Sequence, residues 1–183
     1  MKSNLKKLCV AAMLISLSTV LSFVKIFHMP LGGSVTLLSM VPVCLISVLY
    51  GTRYAVLPCF IYSVIQMATS GIFGWGLTYE VLLGSAFFDY LLPYTLLCLA
   101  GIFKSKFKYG VTAGVSFCCV LRFICHFLSG IIFFKCFDYF GGNYYIYSLC
   151  YNGFFMLPEL ILTVFGIFTI NKSGLADRLK RIK

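Results

Sequence analysis

Charge is what this chain lacks most. Only 11% of its 183 residues are charged and only five are acidic, against about 25% charged in an ordinary soluble domain. With 61% hydrophobic residues and a mean hydropathy of +0.98, that shortage excludes a soluble globular domain. Histidine is nearly absent; His28 and His126 are the two. With no histidine cluster and no CxxC spacing, the chain carries no metal-ligand signature. It has no GxxxxGK[ST] phosphate loop, so the sequence carries no nucleotide-binding signature of that kind. An intramembrane enzyme pairing Asp89 with His126 as acid and base would need a nucleophile motif or a metal site, and the sequence offers neither.

What the chain does have is long apolar runs. Nine cysteines lie mostly inside them and read as small packing residues rather than disulfides or metal ligands. Six membrane spans are predicted: Leu8–Val24, Val35–Tyr50, Tyr54–Ser70, Val81–Phe103, Tyr109–Phe134 and Ile146–Ile170. Pro93 marks a kink in the fourth. Between spans lie a loop built on Pro30, Gly32 and Gly33, a tight basic turn at Arg53, an aromatic loop holding Trp75, a lysine turn, and the polar loop Lys135–Tyr145. The net charge of +10 is unevenly placed: twelve of the fifteen cations fall in the head, the Arg53 turn, the lysine turn and the tail. Six spans put those on one side, so both termini are predicted to be cytoplasmic. The expected fold is an all-α membrane protein, a bundle of six transmembrane helices forming a single transmembrane domain over residues 1–183.

The fifth span carries Arg122 and His126, four residues apart and therefore on one face of a helix. Ser129 and Phe133 fall on the same stripe. A cation inside a span costs about 2.5–3.5 kcal/mol or more unless it finds a partner or water. Asp89 in the fourth span reads in two ways: a structural ion pair with Arg122, or a carboxylate lining a cavity for a cationic or amine-bearing ligand. Asn152 offers donors and an acceptor together, suited to the edge of a heteroaromatic ring. Glu159, seven residues on and deeper, is either a second carboxylate or a buried protonated acid. Trp75, Phe133, Phe134, Tyr144, Tyr145, Tyr147 and Tyr151 lie near the predicted outer boundary. Most fit an interfacial belt; a few could wall a cavity and attract a cationic ring.

Four collinear stretches go further. MPLGGSVTLLSMVPVCLISVLYG, FFDYLLPY, LRFICHFLSGIIFF and YIYSLCYNGFFMLPE together resemble the thiamine-specific substrate-binding (S) component of energy-coupling factor transporters. The likeness runs over about residues 5–170. It implies a six-helix fold and a vitamin site near the outer face. It also implies a transmembrane coupling subunit and two ATP-binding subunits as partners, in the bacterial cytoplasmic membrane, with no cofactor. Carried over by position, Asp89 faces the thiamine rings, Arg122 and His126 are the basic pair, and Phe134 stacks where some members have tryptophan. Tyr147 and Asn152 bind the aminopyrimidine, with Phe133, Tyr151, Glu159 and Trp75 as further candidates. The first outer loop, with Gly32, Gly33 and Ser34, acts in the family as a lid; the tryptophan and glutamate found there in some members are missing here. Ala12 and Ser16 stand at the family's small-residue patch for docking the coupling subunit. An S component for another vitamin, riboflavin or biotin, is the alternative. On a straight helix Phe134 points about 120° away from Arg122 whereas Phe133 lies on the stripe, so either the helix ends before Phe134 or Phe133 lines the site.

Overall fold

The computed structural model describes residues 2–29, 32–106, 108–134 and 143–174. Most of the predicted Lys135–Tyr145 loop and most of the basic tail lie outside the described residues. Helix α1 (Lys2–Phe23) leads into a short antiparallel hairpin, β1 (Lys25–His28) and β2 (Ser34–Thr36). Then come α2 (Met40–Tyr50) and α3 (Thr52–Thr69). The remaining spans are α4 (Tyr79–Gly101), α5 (Gly110–Phe133) and α6 (Tyr144–Lys172). Among the described residues, five of these six helices are long and apolar enough to cross a membrane; α2 is the short one. Their outward faces carry exposed apolar side chains such as Leu8, Met13, Leu57, Leu157 and Phe165, as lipid-facing surfaces require.

The short α2 is the centre of the bundle. Every residue from Met40 to Leu49 is buried, as a helix apolar on all sides must be. Its eleven residues rise only about 16 Å, half the hydrocarbon thickness of about 30 Å. It begins at Met40 rather than at the predicted Val35, because Ser34–Thr36 pair with β1 instead. The Val43 N–H, among the donors a helix start leaves unpaired, is capped by the Ser18 hydroxyl at 3.0 Å.

Two features escaped the sequence reading. The first loop folds as a hairpin, whose alternation was too short to register. The fourth span is irregular: α-helical over Tyr79–Ser85, widened to a π turn over Ala86–Leu91, and tightened to 3-10 geometry over Leu96–Gly101. Pro93, which lacks an N–H and whose ring would collide with the carbonyl of Asp89 in a regular helix, explains the widening. The predicted kink at this proline is realised as a π turn that carries Asp89, and such turns recur at functional sites.

Candidate functional site

One end of the bundle holds a cavity of about 150 Å³ lined by α1, α3, α4, α5, α6, the hairpin and Ser39, the residue just before α2. The N-terminal end of α2 forms its floor, where Ser39 reaches the cavity and Met40 meets the Arg122 guanidinium. Asp89, from the π turn, accepts hydrogen bonds from two neighbours on α5. His126 Nδ1 lies 3.0 Å from one carboxylate oxygen and the Ser129 hydroxyl donates to the other at 2.6 Å. His126 Nε2 is buried with no hydrogen-bond partner among the described residues.

The structural ion pair between Asp89 and Arg122 is not formed. Arg122 instead donates to the Tyr94 hydroxyl at 2.8 Å and lies over the Tyr94 ring, 4.2 Å from its centroid. Its Nε is buried without a hydrogen-bond partner among the described residues. The stripe of the fifth span thus divides: His126 and Ser129 serve Asp89, while Arg122 sits deeper against α2 and α4.

Asn152 on α6 faces α5. Its amide nitrogen donates to the Ser148 carbonyl at 2.9 Å, to the Ser148 hydroxyl at 3.2 Å and to the His126 carbonyl at 3.3 Å. Those bonds fix the amide so that its oxygen, an acceptor, is the group left for the cavity. Tyr147 and Tyr151 line the same wall, their ring centroids 5.6 Å apart. The Tyr151 hydroxyl donates to the Gly32 carbonyl at 2.8 Å. His126 meets the edge of Phe155 at 5.9 Å.

The Phe133/Phe134 question resolves by helix termination. α5 ends at Phe133, and Phe134, at φ −110° and ψ 26°, has left the helix and lines the cavity. Phe133 points at α4: it packs on Phe88 at 6.1 Å and fills the space a side chain at Gly84 would need. The candidate Phe133 is therefore placed outside the cavity. Trp75, Glu159, Gly32, Gly33 and Ser34 all line it. Ala12 and Ser16 lie elsewhere, exposed on the outward face of α1, with the Ser16 hydroxyl donating to the Ala12 carbonyl.

Several lining residues were not anticipated: Tyr90, Tyr94, Gln66, Ser22, Thr36 and Ser148. Gln66, the only glutamine of the chain, was legible as an amide inside an apolar span; it donates to the Ser22 hydroxyl at 3.0 Å. Tyr94 lies one turn beyond Tyr90, and both follow Asp89 closely. Thr36 and Ser39 gave no signal, because their role depends on the hairpin.

A helical bundle with membrane-length spans, and a half-enclosed cavity combining a carboxylate, a histidine, an amide and aromatic rings, belongs to the membrane proteins that bind a small polar aromatic molecule. Residues 8–176 match the family model described as thiamine transporter protein, and the chain belongs to that family. The thiamine transporter ThiT of Bacillus subtilis (strain 168) is 30% identical over 146 residues, 73% of this chain and 72% of that protein. The solved structure of ThiT from Listeria monocytogenes superposes with a TM-score of 0.79 over 97% of this chain and 98% of that one, at 18% identity. That likeness speaks for the fold.

Proposed function

We propose that this multi-pass membrane protein is the thiamine-binding S component of an energy-coupling factor importer. The observation that carries the reading is the convergence of Asp89, His126 and Asn152, from three different helices, on one cavity in a chain of the thiamine transporter family. Thiamine pairs a permanent cation with an aminopyrimidine. In this reading Asp89 balances the cation or accepts from the amine, with His126 and Phe134 flanking the thiazolium ring. The Asn152 oxygen accepts from the pyrimidine amino group, and Tyr147 covers that ring. Arg122, whose Nε has no partner among the described residues, orients the hydroxyethyl tail. Ala12 and Ser16 give a partner helix a close approach to α1, where the coupling subunit would dock; two ATP-binding subunits complete the importer.

Trp75 is the only tryptophan and lines the cavity, so its emission reports on occupancy. Titrating purified protein with thiamine should quench it saturably at micromolar ligand or below. A flat response to thiamine with a saturable one to riboflavin or biotin would reassign the vitamin.

A further inference from the structure

Glu159 is a cavity carboxyl group that the ligand contacts above leave unused. It lies two turns beyond Asn152 on α6 and is 3% exposed. One of its oxygens accepts from the Thr36 backbone N–H and the other from the Thr36 hydroxyl, both at 2.7 Å. The Ser39 hydroxyl stands 2.6 Å from that of Thr36. A hydroxyl has one proton to give, and Thr36 gives its own to Glu159, so Ser39 donates to Thr36. The carboxyl group is therefore clasped on one residue of β2.

The rest of the hairpin leans on the same helix. Tyr151 holds the Gly32 carbonyl. Phe155 lies under Gly33, at φ +79°, where any Cβ would meet its ring at 2.7 Å. Phe154 packs edge-on against Phe27 at 5.4 Å. All four residues of β1 are exposed, while Val35 and Thr36 of β2 are buried. The hairpin's hold on the protein thus runs mainly through β2 to α6, the helix that also carries Tyr147 and Asn152.

We propose that Glu159 is a positioning residue. Its carboxylate fixes β2 to α6, and with it the Gly32–Ser34 wall of the cavity. It sets how long ligand stays bound without touching the ligand. The residence-time claim rests on the thiamine-binding reading; the anchoring claim does not. Two measurements separate them. The first is release of radiolabelled thiamine from protein in lipid nanodiscs. Glu159→Ala should release it about tenfold faster or more, with association changed less. Glu159→Gln, whose oxygen still accepts from the Thr36 N–H while the Thr36 hydroxyl turns to accept, should stay within about threefold of the parent. The second is amide hydrogen exchange in ligand-free protein. The peptide carrying Thr36 should exchange faster in Glu159→Ala and near the parent rate in Glu159→Gln.

Unchanged exchange and release in Glu159→Ala would overturn the anchor. Equal loss of binding in the Ala and Gln variants would overturn it in favour of a charge contact with the ligand. If Glu159→Ala does not fold, Thr36→Val decides by the same two readouts: it keeps the N–H bond and loses the hydroxyl, so intermediate effects support the anchor and none refutes it. If the parent does not bind thiamine, the function proposal fails and exchange alone judges the anchor.

Discussion

The two ends of the bundle are built on opposite rules. At the closed end, helices approach until backbone touches backbone. Gly114 lies so close to Ala100 that an added Cβ would strike its carbonyl, and Gly101 lies against the Ser47 carbonyl in the same way. Cys44, Cys59, Ala100, Val115 and Cys118 are fully buried there. At the cavity end the same helices are held apart, and polar side chains bond to one another around an opening: Asp89 with His126 and Ser129, Asn152 with Ser148, Glu159 with Thr36. The lesson is a division of labour. Small residues supply close packing at one end, so the other end can hold polar groups apart in a ready-made geometry. Preorganisation of that kind lowers the ordering cost of binding.

If the division holds, variants at one end should change affinity and those at the other stability. The largest effect is expected for Asp89→Asn, which keeps the shape but removes the charge. Truncating a buried charged partner costs about 2–5 kcal/mol of binding. Thiamine titration by calorimetry should show that loss with the melting temperature nearly unchanged; an unfolded variant would make Asp89 part of the scaffold instead. Next comes Gly114→Val at the closed end, where overpacking costs about 1–3 kcal/mol. Thermal melting should fall while the remaining folded protein binds thiamine with parental affinity. Lost affinity at unchanged stability would mean the ends are coupled.

Asn152→Ala should cost about 1–2 kcal/mol of affinity. Its sharper signature is discrimination: the variant should no longer favour thiamine over an analogue whose amino group is replaced by a carbonyl. The smallest effects separate the adjacent phenylalanines. Phe134→Ala should weaken binding by about 0.5–2 kcal/mol through the lost cation–ring contact. Phe133→Ala, which empties the space against Gly84 and Phe88, should lower the melting temperature and leave affinity alone. The reverse pattern would put Phe133 in the site.

The helices and the principal site residues were legible because each left a mark that survives without neighbours. Apolar runs near membrane length announced the spans, and Asp89, Arg122, His126, Asn152 and Glu159 stood out as polar groups in apolar surroundings. Their partners were less legible. Arg122 and Asp89, the two opposite charges of the fourth and fifth spans, invited pairing; the structure sends one to Tyr94 and Met40 and the other to His126 and Ser129. Which groups meet depends on helix rotation and depth, and the π turn before Pro93 changes both for Asp89. Thr36 and Ser39 were invisible for a related reason: they matter only once a hairpin lays them against α6.

By itself, then, the sequence determined the bilayer as solvent, the spans that cross it and the polar groups buried within them, since hydrophobicity and the cost of buried charge are properties of local composition. Tertiary structure alone decided that α2 would start at Met40 and leave Ser34–Thr36 to a hairpin, that Phe134 rather than Phe133 would face the cavity, and that Glu159 would clasp Thr36. Those outcomes turn on where a helix ends and how it is rotated, and packing against distant segments sets both.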